Sequence, residues 1–420
     1  ARQARPDRPP AADGQFAAAI DKYHAIFHSL RADDPAPAKA PVPDDLGRRA
    51  VDVKGAAYFL NASQVGICEM PDNGWLTDAA PLPHRHVVVI LVQHPRLPEA
   101  GSLANDWVAG SLDAMAGFRA YEIGISIANQ VQKMGYSAIA HDVRHGDVDL
   151  ERLAVMAGLC YRAGDRVLNP YLDDSFALAA VTTDYPLATD LPLSARAARK
   201  ANGVGFMVGL GGASSGLVRW REEKRATHMS KFAMETVDRV DRPTTLIIDD
   251  EVPRVPKRAS FFDRAVHGDL GKKTQQERTR FAFKHPLAAA MVKQIMAMVP
   301  DQDGPVADHA SETCSDAEEN TRALKSLSYL LGAELTGVCE IPDYAWYSHV
   351  DGGKPVECRH KYAVVMLIDQ EYDTMEGASG DDFISGAQSM RAYMRGAVIA
   401  GVMGETLRNH GFPSRSQTNA

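Results

Sequence analysis

A mixed α/β fold, built from a duplicated domain whose second copy is truncated, is the class this sequence predicts. Three observations predict it. The stretch Gly66-Ile67-Cys68-Glu69-Met70-Pro71-Asp72-Asn73-Gly74-Trp75 returns 271 residues later as Gly337-Val338-Cys339-Glu340-Ile341-Pro342-Asp343-Tyr344-Ala345-Trp346. Eight of the ten positions are identical or exchange similar apolar residues, and so long a period marks a duplicated domain rather than a solenoid. Each copy then carries an apolar run, Val87–Val92 and Tyr362–Ile368, that reads as a buried strand. Each continues into one long helix closed by glycine, Ala109–Met134 before Gly135 and Asp382–Asn409 before Gly411.

The elements follow in order. Residues 1–48 read as a leader and an N-terminal helix, whose stripe is Phe16, Ile20, Tyr23, Phe27 and Leu30. Residues 49–194 form the first copy. It comprises a helix at Val51–Leu60, a strand at Val65–Glu69, the buried strand and the long helix. A strand at Tyr136–Ala140, a helix at Leu150–Ala163 and a strand at Ala177–Thr183 complete it. Residues 195–321 read as an insertion, with Gly-rich Gly203–Gly216, a basic helix at Trp220–Lys231, a short strand at Thr245–Ile248 and an acidic linker at Asp301–Asn320. Residues 322–420 form the second copy, with a helix at Leu324–Leu331 and strands at Leu335–Glu340 and Tyr362–Ile368. Aligning Gly411 with Gly135 sets Ala420 opposite residue 144 of a copy that runs on to about residue 193. The expectation is a fragment of a longer protein, with strand edges and an apolar helix face left unpaired.

Composition narrows the function classes. With 45% hydrophobic and 24% charged residues in 420, the chain is ordinary globular material of two to three domains. The formal net charge of −8 and the lack of a Lys/Arg block disfavour a nucleic-acid partner. No apolar run approaches the ~20 residues that span a membrane, and no signal peptide or twin-arginine pair is present, so a cytoplasmic protein is expected. The five cysteines form no C-x-x-C pair. Cys68 and Cys339 hold equivalent strand positions and read as small buried hydrophobes.

Several short motifs carry little. Gly203-x-Gly205 lacks the third glycine of a dinucleotide fingerprint, since Val208 stands there. Gly212-Ala213-Ser214-Ser215-Gly216 matches a nucleophile elbow, yet its glycines suit a plain loop equally well. His141 and His145 stand four apart, but Asp142 replaces the glutamate of a zinc helix, and surface histidines are the expectation, as for His84 and His86. The long helix of the second copy says more. Tyr393 heads a row of small residues, Gly396, Ala397, Ala400 and Gly404. Each glycine costs a helix about 1 kcal/mol relative to alanine, so such a row needs a reason. One is close helix packing. The other is the approach of a broad, flat group beside a phenol able to donate a proton. The first copy has Gly117 near the position of Tyr393.

Taken with the repeat, Pro342-Asp343-Tyr344-Ala345-Trp346-Tyr347-Ser348 and the strand Lys361–Met366, the chain resembles the corrinoid-dependent reductive dehalogenases of the soluble catabolic type, which carry a degenerate N-terminal copy of the corrinoid domain. Arg254–Phe262 and Lys284-His285-Pro286-Leu287 resemble the segment before the catalytic domain. Ala157–Gly164, Asn169-Pro170 and Thr182–Leu187 resemble the stretch after the active-site helix, where Cys160-Tyr161 departs from the usual Gly-Glu. The resemblance implies a nitroreductase-like corrinoid-binding core, base-off cobalamin, and two [4Fe–4S] clusters on a Cys-rich segment that this chain lacks. It implies Tyr393 as the catalytic proton donor. Asn419 matches an active-site asparagine near corrin and substrate, and Ala397, Ala400 and Gly404 would border the cofactor. Reductive dehalogenation of a halogenated aromatic, phenolic compound is thereby expected. The partners are that small molecule and an external electron donor, with no nucleic acid or membrane, and a homodimer is compatible. The 420 residues alone would lack the clusters and half the corrin site. Rival expectations are an epoxyqueuosine-reductase-like enzyme acting on tRNA, a non-enzymatic corrinoid-binding module, and, last, a hydrolase using Ser214.

Overall fold

The computed structural model describes residues 2–5, 14–194, 220, 224–241, 245, 248–378 and 382–417. Helices α1 (Gln15–His28) and α2 (Leu46–Phe59) lead into strands β1 (Gln64–Glu69) and β2 (His86–Gln93). Then come α3 (Leu103–Val108), α4 (Leu112–Lys133), β3 (Ala138–His141), α5 (Leu150–Met156), the small hairpin β4 (Tyr161–Ala163) and β5 (Arg166–Leu168), and β6 (Phe176–Thr183). Strands β1, β2, β6 and β3 form one antiparallel sheet in the order β1-β2-β6-β3. β2 alternates between two cores. Val88, Ile90 and Val92 face α4 and the central helices, while Val87, Val89 and Leu91 face Leu153, Ala157 and Cys160. Burial on both faces explains its unbroken apolar run, each such side chain contributing roughly 1.5–3 kcal/mol.

The later part carries short helices α6 (Phe261–Val266), α7 (Lys272–Glu277) and α8 (Arg280–Phe283), then α9 (Pro286–Met298) and α10 (Ala317–Leu331). Strands β7 (Leu335–Glu340) and β8 (Tyr362–Leu367), α11 (Tyr372–Gly377) and α12 (Asp382–Asn409) follow. β1 pairs with β2 from Gln64 opposite Leu91 to Glu69 opposite His86. β7 pairs with β8 from Leu335 opposite Leu367 to Glu340 opposite Tyr362. The second register is the first shifted by 271 residues on one strand and 276 on the other.

The same two shifts relate contacts elsewhere. The Val65 amide donates to the Tyr58 hydroxyl at 3.3 Å, and the Thr336 amide to the Tyr329 hydroxyl at 3.3 Å. Arg119 donates to the Leu60 carbonyl, and Arg395 to the Leu331 carbonyl. The Ala36 amide donates to the Gln132 carbonyl, and the Ala307 amide to the Arg408 carbonyl. Gly135 and Gly411 both close their helices with left-handed φ, of 85° and 87°. A Cβ on either would strike a backbone carbonyl, that of Ala38 or of His309. α1 and α9 also correspond, with Phe16, Ile20 and Phe27 buried as Leu287, Met291 and Met298 are. Both first helices meet the two long helices: α1 crosses chiefly over α12, and α9 packs on both α12 and α4. Gly401 exists for this crossing, because a Cβ there would lie 2.1 Å from the Tyr23 hydroxyl.

Several sequence expectations are corrected. The helix expected from Ala109 is broken at Gly110, whose φ of 71° separates α3 from α4. The helix expected to Ala163 stops at Met156, because Gly158 takes φ 71° and turns the chain toward β4. Residues 224–231 form turns rather than a basic helix. Residues 203–216, with Ser214, and Leu246 and Ile247 of the expected strand Thr245–Ile248 lie outside the described residues; Thr245 itself is a bend. The acidic linker is tied down, since the amides of Ala307 and Ser311 bond the end of α12. Cys68 is buried as expected, but Cys339 is exposed. Val365 and Leu367 beside it are 50% and 57% exposed, so the outer face of β7 and β8 stands open. Among the described residues, no helix is long and apolar enough to cross a membrane.

His84, just before β2, and His141, which ends β3, are not at the surface. His141 is fully buried against the Thr182 hydroxyl at 2.9 Å. His84 is buried too, bonded to Thr182 Oγ1 at 2.8 Å and Ser137 Oγ at 2.9 Å. Burial lowers the His84 pKa, against the opposing charge of Asp184. The unfolded chain takes up this proton near pH 6.5, so the contribution of neutral His84 is complete above that value and is lost as the pH falls below it. His84→Asn is therefore expected to lose less thermal stability than the unaltered chain between pH 7 and pH 5. Melting followed by circular dichroism checks this, and parallel curves would contradict it.

Candidate active site

α12 holds Tyr393, and its neighbours on the helix fix which way that residue faces. Met394 is fully buried, and its sulfur lies 4.0 Å from Ser126 Oγ of α4. Arg391 donates to the Phe59 carbonyl at 2.7 Å, stacks on the Phe59 ring and pairs with Glu371. Arg395 meets Glu122 of α4 at 3.0 Å. Anchored on these sides, the helix leaves Tyr393, Gly396 and Ala400 half-buried along one stripe. This stripe adjoins the end of β8, where Ile368 Cγ1 would lie 3.9 Å from a Cβ on Gly396. No described residue bonds the Tyr393 hydroxyl.

The remaining residues of the expected row fall elsewhere. Ala397 is 5% exposed and faces inward, lining a small internal space with Tyr23, Ile295, Met298 and Ser416. Gly404 lies beneath the tail after α12. Ser414 Oγ donates to its carbonyl at 2.7 Å, and a Cβ there would meet the Ser416 nitrogen at 3.7 Å. Of the expected row, Ala400 stands half-open beside Gly396, whereas Ala397 and Gly404 are covered by protein. Asn419 lies outside the described residues.

The charges beside the stripe were not singled out in the sequence. Glu122, fully buried, takes Arg119 at 2.6 Å and Arg395 at 3.0 Å. Burial alone would raise its pKa, but the two guanidiniums prevail and hold the carboxyl below its usual range. Burial and the facing Arg395 lower Arg119 to about 10, which still leaves it charged at neutral pH. The signal was present as Arg391 and Arg395, four apart in a helix with an apolar core face. The partner of Arg395 lies 273 residues away.

Comparison with solved structures gives full-length likeness. The chain aligns over 100% of its residues, at 42% identity and TM-score 0.91, with a reductive dehalogenase whose structure suggests a mechanism for B12-dependent dehalogenation. It aligns equally, at 43% identity and TM-score 0.91, with the catabolic reductive dehalogenase NpRdhA in complex with 3-bromo-4-hydroxybenzoic acid. The chain spans 61% and 60% of the length of these relatives. A likeness to an epoxyqueuosine reductase with a tRNA stem loop covers 35% of the chain at 14% identity and TM-score 0.24, and carries no argument. No protein-family model and no curated protein matches the chain.

Glu122→Ala would leave Arg119 and Arg395 buried without a countercharge, which costs about 3–5 kcal/mol. Arg395→Met removes one cation, keeps the Arg119–Glu122 pair and should cost clearly less. Denaturant melts of both variants check the order, and equal losses would contradict it.

Proposed function

By sequence and fold this chain belongs to the B12-dependent reductive dehalogenases, and we propose that the protein containing it removes halogen reductively from a halogenated phenolic aromatic compound. One observation carries the residue assignment. Tyr393 stands on the half-open, small-residue stripe of α12 with no partner among the described residues for its hydroxyl, and Gly117 holds the corresponding place on α4. A base-off corrinoid, when bound, would supply the cobalt that breaks the carbon–halogen bond. Gly396 and Ala400 keep the helix low beside Tyr393, whose hydroxyl donates the proton that replaces the halogen. Arg391 and Arg395 are committed to the Phe59 carbonyl and to Glu122, so any cation that lowers the phenol comes from elsewhere. Asn419 is proposed as a substrate-side residue. Two [4Fe–4S] clusters relay electrons from an external donor in this reading. They would use other cysteines, because Cys68, Cys160 and Cys314 are buried and Cys339 and Cys358 exposed, with no cluster of three among the described residues. A cytoplasmic protein without nucleic-acid or membrane partners, able to form a homodimer, completes it.

The same proposal extends to architecture. We take α1 to β6 and α9 to α12 as two copies of a nitroreductase-like domain, the first degenerate and the second truncated within these 420 residues. On this division the copies begin with α1 and α9, earlier than residues 49 and 322. Support comes from the shared strand register and the paired contacts. Gly66 and Gly337 add to it. A Cβ on Gly66 would lie 2.3 Å from the Ala157 carbonyl, whereas one on Gly337 would meet nothing within 4 Å. Gly337 keeps the small residue without the cover that requires it.

Two experiments follow. With full-length, cobalamin-loaded protein under reducing conditions and a bromophenol, Tyr393→Phe should lower halide release by roughly 10²–10⁴-fold while leaving the corrinoid absorption spectrum unchanged. Undiminished release would end the proton-donor assignment. In this chain, Gly66→Ala should cost about 1–3 kcal/mol and Gly337→Ala within about 0.5 kcal/mol. In the full-length protein Gly337→Ala should become as costly as Gly66→Ala, and continued neutrality would argue against a covered second sheet.

A further inference from the structure

At the junction of α1 with the loop after β3, three potential metal ligands converge. His24 Nε2 lies 2.6 Å from Asp142 Oδ2, and His145 Nδ1 lies 3.7 Å from Asp142 Oδ1. The ligand atoms of all three residues are within 4.8 Å of one another. His24 and Asp142 are each 3% exposed. His28 stands one helical turn beyond His24, and its ring centroid is 4.1 Å from that of His145. Its Nδ1 meets the Tyr121 hydroxyl at 3.0 Å, which leaves Nε2 for a further contact.

We propose that His24, Asp142 and His145, with His28 as the fourth ligand, form a binding site for a divalent cation of the zinc class. A tetrahedral zinc ion with bonds of about 2.0–2.1 Å holds its ligand atoms roughly 3.3 Å apart. The two pairs at 2.6 and 3.7 Å, on the two oxygens of Asp142, bracket that spacing, whereas His28 lies outside the group within 4.8 Å and turns its ring to join. Neutral imidazoles and one carboxylate are the donors such an ion prefers. The surroundings supply the outer contacts that orient ligands. Asp142 Oδ1 accepts from the His145 amide at 2.7 Å, Tyr121 meets the far nitrogen of His28, and Arg31 donates to the His145 carbonyl at 3.0 Å.

The corresponding helix provides an independent reason. On α9 and the turn after it, the positions of His24 and His28 are held by Ile295 and Val299. The helix packing shared by α1 and α9 is therefore satisfied by apolar side chains and does not call for histidines. A hydrogen-bonded His24–Asp142 pair would serve as a polar tie between α1 and the loop without His28 or His145. The site lies away from Tyr393 and does not depend on the dehalogenase reading.

The test uses this chain stripped with a chelator and titrated with zinc chloride, followed by calorimetry and by metal analysis after dialysis. One zinc per chain is expected, with submicromolar affinity and a rise in Tm of several degrees. His145→Ala, at the more exposed ligand, should fold, as judged by circular dichroism, and bind zinc at least 100-fold more weakly. Cobalt(II) in place of zinc should give the visible absorption of a tetrahedral site, and His28→Ala should alter that spectrum. No stoichiometric zinc, or unchanged binding in His145→Ala and Asp142→Asn, would overturn the site.

Discussion

Glu122 is the charge that both long helices share, and the interior of the protein is arranged around it. A carboxylate without solvent exposure persists only if its countercharges come with it. Arg119 arrives from its own helix and Arg395 from α12, a helix that begins 260 residues further along the chain. Each arginine also donates to the carbonyl that ends a preceding helix, Leu60 or Leu331. One buried anion thus fixes the rotation of α12 about its axis, the approach of α12 to α4, and the placement of α2 and α10. Gln294 of α9 bonds Ser126 one turn along α4, so a third helix joins the same polar centre. Tyr393 inherits its position from this arrangement. It lies two residues from Arg395, and a different helix rotation would bury it or turn it from the stripe.

The two halves obey one set of backbone rules and differ in what covers them. In the first, α5 and the β4–β5 hairpin close over the outer face of β1 and β2, and Trp75 is buried there with Val148 and Leu153. In the second, the corresponding positions Cys339, Val365 and Leu367 are open. The inner face behaves otherwise. Val364, Met366 and Ile368 pack on the same central cluster as Val88, Ile90 and Val92. The shared interior is complete in both halves because α1 and α9 each lie against both long helices, α1 chiefly on α12 and α9 between α12 and α4.

Much of this was legible in the residues. The decapeptide repeat located β1 and β7, and Val87–Val92 announced a strand buried on both faces. α12 matched its expected bounds, since glycine closed it and a regular apolar stripe filled it. Helices were overextended where a single glycine with left-handed φ interrupts the chain, at Gly110 and Gly158. Nothing local distinguishes such a glycine from one that merely sits in a helix. The row from Tyr393 to Gly404 was only half legible. Helical spacing groups Ala397 and Gly404 with Ala400, but whether a small residue faces open space, Tyr23 or Ser416 depends on what packs against the helix.

The sequence by itself determined the α/β class, the repeat, the main strands of each half and the family resemblance, because these rest on periodicity and on residues near one another in the chain. The tertiary structure alone decided how α1 and α9 seat on the two long helices, the buried charge shared by α4 and α12, and the meeting of His24 with Asp142 and His145. Those contacts join segments more than a hundred residues apart. The chain does not encode such partners as a spacing. They are selected when burial forces each buried charge and each small residue to find the group that fits it.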